Sequence, residues 1–270
     1  MPRRSAGSGY LSLPDGGDGP GVLVLHSWWG LTPFFKDVCD RLSAAGFVAL
    51  APDLFAGRTA DDPDEARAML GEADMDVTLD LVRSSLLTLR GMPATPEAPV
   101  GLLGFSMGAS WALLMATRIP DVVGATVVFY GSQSVDMAAA TSPFLGHFAE
   151  HDELVDEDEL VLLEADLKLL DKDVTFHRYP GTSHWFFEAD RPAHDPPAAE
   201  LAWNRTIEFL RARLSTVDVD PDVDPGDVAV GDEDTRDEHR RDEHLAGEVL
   251  ADELGATVDE AAQKDDADGS

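Results

Sequence analysis

Short, mostly apolar runs alternate along this chain with stretches whose apolar residues recur every three or four positions. Val22–Leu25, Phe47–Ala51 and Val100–Leu103 are apolar throughout, and Ala125–Tyr130, Phe144–Ala149 and Val174–Tyr179, which include Thr126, His147, Thr175, His177 and Arg178, read as later strands. Each has the length of a strand, and the continuous apolarity of Val22–Leu25 fits a strand covered on both faces. Tyr10–Leu13 reads as a first strand, separated from Gly21–His26 by the turn Pro14-Asp15-Gly16-Gly17. Pro33–Ala45 reads as a helix, with proline in its first turn and Gly46 at its end. Asp64–Leu89 is mostly helical with an interruption near Gly71, and Asp156–Leu170 carries Leu160, Leu163, Leu167 and Leu170 at helical spacing. Ala198–Arg213 closes the domain, with Leu201, Ile207, Phe209 and Leu210 on or near its apolar face. Strands alternating with helices imply an α/β fold, a mainly parallel sheet wrapped on both sides. Sites in such folds lie beyond the carboxyl ends of the strands. The loops after His26, Gly104, Ala149 and Tyr179 are therefore the places to look for chemistry. No internal repeat is visible.

Charge divides the chain. Residues 216–270 hold 20 acidic and 4 basic side chains, so half of the net charge of −32 sits in about a fifth of the length. That segment has few aliphatics and no aromatics, too little to offset the entropy of ordering. The expected organisation is one domain over residues 1–215 and an acidic, mostly disordered tail over 216–270, with an extended linker at 218–225 and one candidate short helix at 243–254. Residues 1–215 are acidic too, and arginine far outnumbers lysine across the chain. Such a surface repels nucleic acid and anionic membranes, so neither is an expected partner. It also resembles the surfaces of proteins that work in concentrated salt, where carboxylates hold water and salt screens their repulsion. Cys39 is the single cysteine, which leaves no disulfide framework and fits a reducing cytoplasm. Arg3-Arg4 is not followed by the apolar stretch of a signal peptide, and no apolar run has the length of a bilayer span.

The chemistry centres on Gly104-Phe105-Ser106-Met107-Gly108, which joins the run Val100–Leu103 to a helical stretch at 109–117. A G-x-S-x-G between a buried strand and a helix has the form of a nucleophile elbow. The turn is tight enough to demand small flanking residues, and the helix start presents amides to developing negative charge. A serine hydroxyl needs a base, and the base needs an acceptor to hold its tautomer. In this architecture they follow in the order Ser, acid, His. Glu150-His151-Asp152 and Gly181-Thr182-Ser183-His184 stand directly after two strands. Asp152 as acid and His184 as base are the expected partners of Ser106; Glu150 and Asp156 remain rivals to Asp152. His147 and His177 fall inside strands, and His26 precedes the nucleophile and reads as a loop brace.

Two donors are needed for an oxyanion. The Met107 amide is one, and the loop after His26 supplies the other, most simply the Trp28 N–H. Trp29, Phe34, Trp185 and Phe186, in the loops flanking the serine, are expected to wall a substrate pocket.

The series Val22-Leu-Val-Leu-His-Ser-Trp-Trp-Gly-Leu, Val48-Ala-Leu-Ala-Pro-Asp-Leu, Gly104-Phe-Ser-Met-Gly, Phe129-Tyr-Gly, Gly146-His-Phe-Ala-Glu-His-Asp and Tyr179-Pro-Gly-Thr-Ser-His-Trp-Phe-Phe resembles the dienelactone hydrolase family over residues 8–214. The resemblance implies an α/β-hydrolase fold, no metal or organic cofactor, and a small ester or lactone as substrate. It places a family triad on Ser106, Asp152 and His184. Three positions depart from the family pattern. Ser106 stands where the family typically has cysteine, and Ser27 where it has a glutamate that attends the resting thiol. Both changes suit a serine, which holds no thiolate at neutral pH. Glu188 stands where the dienelactone enzyme has an arginine for the substrate carboxylate, and an acidic side chain there would repel an anionic substrate. A neutral ester, lactone or thioester is the expected substrate. A non-catalytic binding protein on the same fold is the alternative. The oligomeric state is not legible.

Overall fold

The computed structural model describes residues 9–96 and 98–214. Arg3-Arg4 and the acidic segment 216–270, with its linker and candidate helix, lie outside the described residues. The strands are β1 (Tyr10–Ser12), β2 (Gly21–Leu25), β3 (Val48–Ala51), β4 (Val100–Phe105), β5 (Val123–Phe129), β6 (Phe144–His151) and β7 (Val174–Ser183). Helices α1 (Pro33–Ala44), α2 (Pro63–Gly71), α3 (Met75–Arg90), α4 (Met107–Arg118), α5 (Glu157–Leu169) and α6 (Pro196–Leu214) connect or follow them. The sheet order is β1-β3-β2-β4-β5-β6-β7, with β1 antiparallel to β3 and every other neighbouring pair parallel. This is the α/β-hydrolase arrangement, and the sheet separates two cores. One core is built with side chains of α2, α3, α4 and α5, the other with those of α1 and α6.

Local chemistry places the helix starts. Asp62 accepts hydrogen bonds from the amides of Asp64 and Glu65, Asp74 from Val77, and Asp156 from Asp158, each satisfying amides that a helix start leaves without partners. The interruption near Gly71 is a real break, with α2 ending at Gly71 and α3 beginning at Met75. Helix α4 is buried from Met107 to Ala116, which explains why its sequence is apolar all round rather than along one stripe. On α6, Ile207 and Leu210 are buried as expected, but Leu201 is exposed because the core face turns through Ala199, Ala202, Trp203 and Thr206.

The central turn depends on two glycines. A Cβ on Gly108 would stand 2.1 Å from the Leu25 carbonyl oxygen, and one on Gly104 would stand 2.3 Å from the Gly108 oxygen. The start of α4 thus lies directly against the end of β2. We predict that Gly108→Ala lowers unfolding stability by about 3 kcal/mol, as overpacking against backbone does, although alanine has the better helix propensity. Urea denaturation measures this; an unchanged midpoint would show that the turn relaxes freely.

Candidate active site

Ser106 lies between β4 and α4 with φ 51° and ψ −118°, a backbone conformation that a side chain with a Cβ adopts only at a cost of about 1–3 kcal/mol. Its amide donates to the Phe129 carbonyl at the end of β5 (2.9 Å). Gly131 leaves room for the serine carbonyl, which a Cβ there would approach to 2.5 Å. Tyr130 and Trp185 also have positive φ, at 34° and 65°. Three of the five non-glycine described residues with positive φ therefore surround one spot, as backbone strain does at functional sites.

Strand register brings the other two groups to that spot. His151 at the end of β6 pairs with Ser183 at the end of β7, so the next residues, Asp152 and His184, emerge side by side. Ser106 Oγ lies 2.9 Å from His184 Nε2, and His184 Nδ1 lies 2.8 Å from both Asp152 oxygens. Asp152 Oδ1 also accepts from the amides of Leu154 and Val155. An ionised carboxylate only accepts, so it sets Nδ1 as the donor and leaves Nε2 to accept from the serine hydroxyl. The alternative acids are engaged elsewhere: Glu150 accepts from the Gly181 amide (2.7 Å) and Asp156 caps α5. Both strands run beyond Ala149 and Tyr179, where the sequence suggests they stop. The pairing continues across an irregularity between Ala149 and His151, pinned by Glu150.

His26 is buried at the end of β2, where its Nε2 accepts from the Leu54 amide (3.1 Å) and its Nδ1 donates to the Ser27 carbonyl (2.7 Å). Burial pushes its pKa down to about 4, so it stays neutral and braces the loop that carries Ser27 and Trp28. Among the described residues, neither the Met107 nor the Trp28 amide has a backbone acceptor.

The aromatic residues divide. Trp28, Trp29 and Trp185 form one cluster, with ring centroids 5.2–5.9 Å apart, and Trp185 packs edge-on against His184 at 4.7 Å. Their buried indole nitrogens have no hydrogen-bond partner among the described residues. Phe34 and Phe186 do not join them, contrary to the expectation that they wall a pocket. Phe34 packs on Phe35 and Phe187, and Phe186 is buried against Tyr130 and Tyr179. Both rings turn inward because the sheet surface beneath them has apolar area to cover.

Glu188 also differs from its sequence reading. It is fully buried, Oε1 accepting from the Tyr130 hydroxyl (2.9 Å) and Oε2 from Ser27 Oγ (3.2 Å). Burial pushes its carboxyl up to about 8, against the opposing hydrogen bond from Tyr130. It is mostly protonated at neutral pH and offers no exposed charge to repel an anion. Sequence reasoning missed Ser27 and Tyr130 as its partners. The available signal was an acid directly after Trp185-Phe186-Phe187, a setting that predicts burial. Among the described residues, no three His, Cys, Asp or Glu side chains are arranged to hold a metal ion, and no helix is long and apolar enough to cross a membrane.

A sequence model of the dienelactone hydrolase family matches residues 8–214. Protein usf of Aquifex pyrophilus is 35% identical over 217 residues, covering 77% of this chain and 94% of that protein. A putative carboxymethylenebutenolidase of Aquifex aeolicus is 33% identical, covering 76% and 93%. Among solved structures, a putative dienelactone hydrolase from Klebsiella pneumoniae superposes with a TM-score of 0.66 at 20% identity, over 74% of this chain and 91% of that one.

The buried carboxyl makes stability depend on pH. Its folded pKa of about 8 lies above the ordinary value of 4.5, so its contribution is fully present below pH 4.5 and is lost as pH rises through 8. Glu188→Gln has no proton to lose. Its Tm relative to the parent protein should climb between pH 5 and 8.5, followed by circular dichroism. A difference independent of pH would contradict the assignment.

Proposed function

This chain belongs to the dienelactone hydrolase family, and from that membership we propose that it hydrolyses small esters, lactones or thioesters through Ser106, His184 and Asp152. The observation that carries the proposal is the unbroken hydrogen-bonded line from Asp152 through His184 to Ser106 on a strained turn. Ser106 Oγ attacks the substrate carbonyl while His184 Nε2 takes its proton, and Asp152 holds the imidazolium. The Met107 and Trp28 amides receive the oxyanion. Collapse of the tetrahedral intermediate breaks the ester bond. His184 passes its proton to the leaving oxygen or sulfur, and the acyl group stays on Ser106. Water then gives its proton to His184 and attacks the acyl carbonyl; the bond from the acyl carbon to Ser106 Oγ breaks, His184 returns the proton to that oxygen, and the acid leaves.

Serine at position 106 and serine at position 27 support the same reading. No resting thiolate has to be managed, so position 27 is free of that task and turns to Glu188 instead. The tryptophan cluster of Trp28, Trp29 and Trp185 is the apolar wall we assign to the substrate.

A panel of p-nitrophenyl esters, small lactones and thioesters, assayed in molar salt because of the chain's acidity, tests the proposal. Ser106→Ala should lose at least about 10³-fold in kcat and Asp152→Asn about 10⁴-fold, both with unchanged circular dichroism. Parental turnover in Ser106→Ala would overturn the assignment.

A further inference from the structure

We propose that Glu188 is a positioning residue, whose carboxyl clamps the loop carrying the Trp28 amide to the tyrosine packed against the His184 ring. The inference rests on the triad reading above and gives Glu188 a task there other than contact with substrate.

The geometry gives one side chain three attachments around the reacting atoms. Oε2 accepts from Ser27, the residue directly before Trp28. Oε1 accepts from Tyr130, whose ring centroid lies 4.9 Å from that of His184. The Glu188 amide donates to the Trp185 carbonyl (2.9 Å), closing the turn that begins at His184. Tyr130 is itself held in a left-handed conformation, its amide on the His147 carbonyl and its neighbour Phe129 supporting the Ser106 amide. The oxyanion donor, the nucleophile and the base are thus referred to one buried carboxyl. A filler at this position would be better apolar, because burying an ionisable group is costly unless its hydrogen bonds matter.

The chemistry favours the protonated form. In the ionised form Tyr130 and Ser27 both donate to the carboxylate; with the proton on Oε2 the second bond reverses, Oε2–H donating to Ser27 Oγ while Oε1 still accepts from Tyr130. Asp190 on the same turn disfavours a second negative charge; Arg191, also there, opposes it. Ser27 is neutral, as is His26 behind it, and Tyr130 and Asp152 complete the facing groups. Ionisation of Glu188 replaces a donor to Ser27 with a charge close to the place where the oxyanion forms. Turnover therefore falls as pH rises through about 8. Glutamine, with one acceptor and one donor end, mimics the protonated group.

The test compares the parent protein, Glu188→Ala and Glu188→Gln on p-nitrophenyl acetate from pH 6 to 10. Glu188→Ala should lose about 10²-fold in kcat, the scale of a misplaced catalytic group, with KM changed much less. Glu188→Gln should recover most of that loss at pH 7 and lack the alkaline fall. If Glu188→Ala does not fold, Tyr130→Phe cuts one arm without opening a cavity and should lower kcat in the same way. A parental kcat in the folded variant, or an alkaline fall retained by Glu188→Gln, overturns the clamp. The His184 ring resonance, assigned by its loss in His184→Gln, gives a readout independent of turnover. In the parent it should shift as Glu188 ionises near pH 8, and in Glu188→Gln it should not. Should the parent hydrolyse nothing, the functional reading fails while this resonance still decides: a shift confined to the parent supports the clamp, and its absence in the parent overturns it.

Discussion

The close approach of Gly108 to the Leu25 carbonyl is the constraint on which the site depends. A helix start pressed against the end of the neighbouring strand leaves the intervening serine no relaxed conformation, and Ser106 is held at positive φ with its hydroxyl outward. The same contact sets the Met107 amide beside the loop that follows β2, where His26, neutral and doubly hydrogen-bonded, fixes the run to Trp28. Packing of backbone on backbone, possible only at glycine, is what holds this strand–helix junction in its strained turn.

The second requirement is register. Asp152 and His184 meet because the strands before them are paired to their last residues, His151 with Ser183. A slip of one residue would send one of the two side chains to the opposite face. The Glu150 carboxylate holding the Gly181 amide guards that register, so the acid that looked like a rival to Asp152 instead helps to place it. By the clamp proposed above, Glu188 does comparable work through Tyr130 and Ser27, an ionisable side chain having been buried where a hydrocarbon would have cost less.

How much of this was legible follows from the kind of information each residue carries. The element order, the wrapped sheet and the turn at Ser106 are written in apolar periodicity and in the paired glycines, which are local signals. Asp152 and His184, which the structure brings to Ser106, could be singled out because strand ends and chain order restrict the candidates. The ends of β6 and β7 could not, since a polar pair such as Glu150-His151 reads as loop until a neighbouring strand takes up its backbone. Phe34 and Phe186 were read as pocket walls because loop sequence does not say which way a ring points; the apolar sheet surface decided it. Glu188 was read as a charge that would repel an anionic substrate, since a letter gives a residue's chemistry but not its burial. Three aromatic residues before it were the one hint.

Covalent capture tests the central claim most directly. Incubation with a fluorophosphonate, followed by intact-mass and peptide mass spectrometry, should give one adduct per chain, located on Ser106 and absent in His184→Gln. Modification elsewhere, or none at Ser106 in a folded protein, would contradict the account.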